Sequence, residues 1–365
     1  MRRIGLCIGI ILLLTATVRL DATPTRPRSV IESLPDGAKA RLKARNERYK
    51  AVLIAQKSAT NPAYLIRRKA LWGPGAIIKV AFRGGANALR SQIAGIADRW
   101  AHDKQHTANV AFDWGFDAAT GAFREWTQND ALYAASIRVS FDNVGYWSQL
   151  GTDSIDPSVA KPGEASLNLQ GFDQSLPSNW EGVVLHEFGH ALGFEHEHQS
   201  PAGGCGSQFR FDDDESYTPT TDSYGEFIED AQGRRPGIYR WLGGPPNNWP
   251  KSRVDDNMKE LSNSSRIYVG PYDPKSIMEY SFPEWMCKTA NNMCCVPENL
   301  NLSNGDIAGI LRFYPMERKA QQAFLNEQSR VLKPLTDAKA VDIGDRIHTQ
   351  ELLEGLKASV QKLAW

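Results

Sequence analysis

Four of the chain's seven histidines fall in one run, His186-Glu187-Phe188-Gly189-His190-Ala191-Leu192-Gly193-Phe194-Glu195-His196-Glu197-His198. On a helix, His186 and His190 lie one turn apart on the same face. At that spacing two imidazoles can hold one Zn²⁺ at ~2.0–2.1 Å each. Glu187, beside the first ligand, is placed to reach a water on the metal rather than the metal itself. Gly193 can take the left-handed conformation that ends a helix, and the turn lets His196 swing back as third ligand. Three protein ligands leave one position open, which is the arrangement of a catalytic rather than a structural zinc site. His198 fits no ligand spacing and is expected in solvent, as are His102, His106 and His348.

A second signal lies about eighty residues after His196, in Ser276-Ile277-Met278-Glu279-Tyr280. H-E-x-x-H-x-x-G-x-x-H followed by a Met in a tight turn is the two-part pattern of the metzincin zinc endopeptidases, and the chain resembles their astacin branch. Glu197 directly after the third His and the Ser-Ile-Met-x-Tyr run are both astacin-like. The resemblance implies an α+β, zincin-like catalytic domain. Its N-terminal lobe would be a twisted sheet plus two long helices, and its C-terminal lobe irregular. It implies one zinc per chain on His186, His190 and His196, Met278 beneath them, and Glu187 as general base. It also gives Tyr280 the role of an extra metal ligand that swings to stabilise the transition state. Weaker matches are Trp147-Ser148-x-x-Gly151 (a cleft-lining edge strand), Leu71-Trp72 with Gly75 (the start of the mature domain) and Leu302-Ser303-x-x-Asp306 through Tyr314 (a closing helix). The similarity spans about residues 70–316.

There are departures from that pattern. Gln199-Ser200-Pro201 stands where astacins carry Arg-x-Asp-Arg, and Tyr146 replaces the cysteine beside the edge strand, so the family's disulfides do not carry over. In astacins the Glu after the third His pairs with the buried mature N-terminus; Glu197 is present, but no matching start site is. The Gly-rich calcium repeats of serralysins are absent.

The reaction implied is peptide hydrolysis, with zinc activating a water and Glu187 taking its proton and returning it to the leaving amine. The partner is then a protein or peptide substrate. A different class is a secreted, non-catalytic binding protein on the same scaffold, whose signature would be loss of Glu187 or of a ligand; neither is lost. A third reading is zinc-dependent hydrolysis of amides outside peptides.

The elements that must position these residues are legible in part. Ala76–Phe82, Asn109–Trp114, Ala135–Phe141 and Ala165–Gln170 read as strands. Leu89, Ile93, Ile96 and Trp100 have helix spacing, and Ser303-x-x-Asp306 resembles a capping box opening a helix through Phe313. Residues 200–300, rich in Gly, Pro, Asn, Asp and aromatics, read as an irregular lobe around Trp241, Trp249 and Trp285. The expected division is a signal peptide at 1–22, a pro-segment or extension at 23–68, a catalytic domain at 69–316 (lobes about 69–199 and 200–316) and a helical tail at 317–365.

Arg2 and Arg3 before the apolar stretch Ile4–Val18, with small residues up to Ala22, have the layout of an export signal, so a secreted or periplasmic product is expected. Cys205, Cys287, Cys294 and Cys295 then read as two disulfides. A Cys294–Cys295 bond would close a strained ring, so each is expected to pair with Cys205 or Cys287, in either order. The 42 basic and 42 acidic residues cancel, which argues against nucleic acid as partner. No apolar run reaches the ~18–20 residues of a membrane span. Asp212-Asp213-Asp214-Glu215 offers oxygens to Ca²⁺ but lacks the spacing of a known loop, and a solvated acidic turn is expected. Asn263 and Asn301 begin N-x-S sequons. Residues 23–68 hold no Cys and only three carboxylates, Glu32, Asp36 and Glu47. Pro35-Asp36-Gly37 reads as an ordinary exposed turn; if the precursor is latent, Asp36 in that turn is the expected blocking group.

Overall fold

The computed structural model describes residues 32–55, 62–261, 270–337 and 343–363. The expected signal peptide and Asn263 lie outside them. Strand β1 (Ala76–Phe82) is followed by helix α3 (Asn87–Ala97), after α1 (Asp36–Ala55) and α2 (Pro62–Lys69). A short ribbon, β2 (His102–Asp103) with β3 (His106–Thr107), leads to β4 (Val110–Asp113), β5 (Ile137–Ser140), β6 (Tyr146–Ser148) and β7 (Leu167–Leu169). The main sheet has the order β4-β1-β5-β7-β6. The first four run parallel, with Ile77 opposite Ala111, Phe82 opposite Val139 and Val139 opposite Leu167, and only edge strand β6 is antiparallel, with Trp147 opposite Asn168. Strand β1 spans the whole of its expected run, whereas β4, β5 and β7 are shorter than theirs by one to two residues at the ends.

Helix α4 (Trp180–Ala191) packs on α3 and beside β6 and β7. Its core-facing side is apolar, and Val184, Leu185 and Phe188 have no exposure. They join Val80, Phe82, Ile93, Trp100, Val139 and Leu167 in one core. The fold is thus a mixed α/β one, a five-stranded sheet with helices packed against it.

A smaller core holds the following lobe, containing α5 (Cys205–Gln208), the ribbon β8 (Thr220–Thr221) with β9 (Phe227–Ile228), α6 (Ile238–Gly243) and α7 (Lys251–Met258). Phe209, Trp241, Trp249, Met258 and Phe282 fill it around the half-cystines. The bonds are Cys205–Cys294 and Cys287–Cys295. Helix α8 (Asn304–Phe313) opens on a capping box in which Ser303 and Asp306 satisfy each other's backbone N–H.

The flanking segments are better packed than their polar sequences suggest. Tyr49, Val52 and Leu53 of α1 form a cluster with Ile66 of α2 and with Val331 and Leu335 of α9 (Arg318–Asp337), so residues 36–55 do have a core. Helix α10 (Ile343–Leu363) lies along α9. Arg45, with no exposure, reaches Asp153 at 2.8 Å and Asp156 at 2.9 Å. Asp156 also accepts from Lys69 Nζ at 2.9 Å. Arg48 reaches Asp345 of α10 at 3.0 Å. Charges this deep persist only when paired, because stripping their water costs several kcal/mol per ion.

Candidate metal centre

Helix α4 presents His186 and His190 on one face, and the chain then reverses at Gly193, whose φ of +98° is open to glycine at little cost. A Cβ there would run into Leu71. The reversal brings His196 back beside the helix, with its Nε2 3.0 Å from that of His190. Three aromatic donors bind carbonyls along and just past α4: Trp100 to Leu185, Trp72 to Ala191 and the Tyr314 hydroxyl to Leu192.

Met278 lies below, buried in a tight turn and close enough to α4 that a Cβ on Gly189 would collide with its sulfur. The turn is pinned by Asp306, the acidic member of the α8 capping box. Asp306 accepts from Ser276 Oγ at 2.6 Å and from the Ile277 N–H at 2.8 Å while also capping its own helix. The Glu197 N–H donates to the Met278 carbonyl, and the Glu197 carboxylate accepts from the Asp273 N–H at 3.0 Å. In this form of the chain Glu197 therefore ties the third-histidine loop to the segment entering the Met turn.

The fourth group is one the sequence did not single out. Glu32 Oε2 stands 3.1 Å from His186 Nε2, 3.1 Å from His190 Nε2 and 3.0 Å from His196 Nε2. The Tyr280 hydroxyl donates to the same oxygen at 3.3 Å. Asp36 is elsewhere: it opens α1, is largely exposed and pairs with Arg253. The exposure of Asp36 agrees with the surface-turn reading, and the conditional reading of Asp36 as blocking group is corrected to Glu32. The two lie close in sequence, but the start of α1 directs Asp36 toward α7 and leaves Glu32 in the extended stretch before the helix.

The donor set fits zinc. His186 and His190 donate through Nδ1 to the carbonyls of Ile277 and Phe194, both at 2.7 Å. In the neutral imidazole that leaves each Nε2 as a lone pair, and lone pairs facing each other and a carboxylate repel unless a cation lies among them. Ligands at ~2.0–2.1 Å in a tetrahedron are separated by about 3.3 Å along its edges, close to the 3.0–3.1 Å separations here. Among the described residues this is the one such group of His, Cys, Asp and Glu side chains.

Glu187 is buried, with Oε2 lacking a hydrogen-bond partner. Burial, reinforced by the nearby Glu32 charge, pushes its carboxyl well above the usual range. The Tyr280 ring stacks on His186 and on His198.

Comparisons with protein-family models and with curated proteins find no match. Among solved structures, the chain is similar to myroilysin, at 27% identity and a TM-score of 0.48, over 68% of this chain and 98% of that one. A second, crystal structure of myroilysin gives 25% identity and a TM-score of 0.40, over 67% and 86%. High choriolytic enzyme 1, a hatching enzyme zinc-protease from the medaka fish Oryzias latipes, gives 16% and 0.37, over 68% and 96%.

Other expectations fare differently. His198 is not in solvent but fully buried, its Nε2 donating to the Asn257 carbonyl at 2.8 Å and its ring against Phe282. His106 and His348 are buried as well, His106 against the Trp100 carbonyl; His102 is exposed as expected. Two carboxylates of the acidic run serve arginines rather than Ca²⁺: Asp213 holds Arg240, and Asp214 holds Arg210 and Arg235. No helix of the described residues is long and apolar enough to cross a membrane.

Proposed function

We propose that the chain is an exported zinc-dependent endopeptidase that cleaves proteins or peptides, held inactive in this form by its own Glu32. The observation that carries the reading is the convergence of three Nε2 atoms on one point, with a carboxylate oxygen from the N-terminal segment 3.0–3.1 Å from each. Zinc, when bound, supplies the Lewis acid that activates a water and polarises the peptide carbonyl. The chain's own residues do the rest. His186, His190 and His196 would hold the metal, and Glu187 would take the proton and pass it to the amine that leaves. Tyr280, whose hydroxyl already donates to Glu32, would donate to the developing oxyanion. Glu32, standing among the three imidazoles, would exclude both water and substrate.

Export is supported by the two disulfides, which persist in oxidising compartments. The test is elemental analysis of purified protein together with clearance of casein by the Glu32→Ala chain. One zinc per chain, lost in His186→Ala, His190→Ala and His196→Ala, is expected. Full zinc in all three variants, or a zinc-loaded Glu32→Ala chain that cuts nothing, would sink the proposal.

A further inference from the structure

The Tyr280 hydroxyl reaches Glu32 among the three histidines, so the groups that hold its ring decide where that hydroxyl stands. Two aromatic neighbours, His186 and His196, belong to the metal centre itself. Phe282 meets the ring edge-on, with centroids 5.7 Å apart. The fourth is His198, whose ring lies 4.8 Å away and within 23° of parallel. His198 is fully buried and hydrogen-bonds to nothing in the metal centre: Nε2 donates to the Asn257 carbonyl at 2.8 Å, and Nδ1 has no partner. Asn257 lies in the last turn of α7, where carbonyls lack partners inside the helix. The loop after the third histidine supplies them, because Gln199 Nε2 also donates to the Asp256 and Lys259 carbonyls at 3.0 and 3.1 Å. Val254 and Met258 of α7 have no exposure, so the anchor is part of a packed element.

Packing alone does not call for a histidine here. Phe209 and Phe282 wall the slot edge-on, and a phenyl ring would fill it without burying an unsatisfied nitrogen. What a phenyl ring cannot do is donate to Asn257 and so fix the angle of its own plane. We propose that His198 is a positioning residue: held by the C-terminal turn of α7, its ring is the face against which Tyr280 lies, and it sets where the Tyr280 hydroxyl stands. A flat face resists tilting of the tyrosine out of its plane, and aromatic pairs of this kind add stabilisation beyond the area they bury. His198 acts through Tyr280, whose hydroxyl has to stand where the oxyanion develops if it is to donate there. The catalytic consequence rests on the peptidase reading above, whereas the positioning of the ring does not.

The experiment has two arms. In the first, the full chain carries ¹³C in its tyrosine rings and is followed by NMR, with the Tyr280 signals identified by their loss in Tyr280→Phe. The flip rate of the Tyr280 ring is expected to rise by at least ~10-fold in His198→Leu, which keeps the volume but has neither ring plane nor donor; tenfold in rate is about 1.4 kcal/mol, the scale of one aromatic contact. His198→Phe, a ring without the donor, is expected to raise it by roughly 3-fold. An unchanged rate in His198→Leu overturns the proposal, and should that variant fail to fold, an unchanged rate in His198→Phe does so. In the second arm, the zinc-loaded Glu32→Ala chain digests a peptide. Adding His198→Leu is expected to lower kcat by at least ~10-fold, with KM and zinc content within about 2-fold. Once Tyr280 is replaced by Phe, the same change is expected to cost less than about 2-fold, because the two residues act as one unit. No loss in the first background, or an equal loss in both, overturns the positioning role. If no chain cuts the peptide while His198→Leu still frees the Tyr280 ring, the peptidase reading fails and the positioning of Tyr280 stands.

Discussion

Glu32 gives the sharpest test, because removing it should turn activity on. Its Oε2 lies 3.0–3.1 Å from three imidazole nitrogens and 3.3 Å from the Tyr280 hydroxyl. Counting only the charge-assisted hydrogen bond from the Tyr280 hydroxyl, the interaction is worth about 1.5–3 kcal/mol, which corresponds to an open fraction lower by roughly 10- to 150-fold. Glu32→Ala removes the occupant and leaves the histidines, Glu187 and α1 in place. Initial rates of fluorescent-casein hydrolysis, at equal zinc content, should therefore rise by at least ~10-fold over the unprocessed wild-type chain. Glu32→Gln, which keeps the shape but loses the charge, should fall between. Asp36→Ala should match wild type, because Asp36 is largely exposed and pairs with Arg253 rather than with the histidines. An unchanged rate in Glu32→Ala, or activation by Asp36→Ala, would refute the assignment of the blocking group.

Further expectations follow from the same geometry. Glu187→Gln introduced into the Glu32→Ala chain should retain zinc by elemental analysis and lose at least ~10²-fold in kcat, since it touches the proton and not the metal; near-normal turnover would remove its role. Arg45→Ala leaves Asp153 and Asp156 buried with one partner fewer, so urea denaturation should register a loss of about 3–5 kcal/mol, and a loss below 1 kcal/mol would show that water reaches the cluster. Asp156, buried but flanked by Lys69 and Arg45, is held far below the usual carboxylate range. A depressed folded value means its contribution is complete above the unfolded value of about 4 and is lost as pH falls from there, by about 1.4 kcal/mol per unit. The stability gap between wild type and Asp156→Asn should accordingly be flat from pH 8 to 5 and close only below about pH 4; a gap that narrows between pH 7 and 5 would contradict the pairing.

What could be read in advance was whatever is encoded locally. The i, i+4 histidines, the glycine that reverses the chain and the Ser303–Asp306 box each act within a few residues, and the strands announce themselves by runs of β-branched and aromatic side chains. Glu32 could not be read that way. It meets His186 across 154 positions, and nothing in its neighbours separates it from Asp36 or Glu47; the choice is made by where α1 docks. The same limit explains His198, whose burial depends on Phe209, Phe282 and the Asn257 carbonyl arriving from elsewhere. Arg45 sits in a polar helix with no amphipathic stripe, and its burial is dictated by carboxylates more than a hundred positions away. Asp306 was read as a cap; that it also pins the Met turn is a tertiary fact.

The seat of α1 has a kinetic consequence. Arg48 and Asp345 are separated by 297 positions, and the cluster that receives Tyr49 and Leu53 needs Val331 and Leu335. Contacts of such high sequence separation form late, because the loop-closure entropy must be met before they stabilise anything. During synthesis, which delivers the chain from its N-terminus, α1 emerges first but finds its full seat last. The histidine centre, assembled from residues 186–280, can be complete while the α9 side of that seat does not yet exist. A nascent chain halted before residue 318 would therefore carry all three histidines, Glu187 and the Met turn with Glu32 only half anchored. Limited proteolysis of such a truncated chain should cut within α1 where the full chain resists.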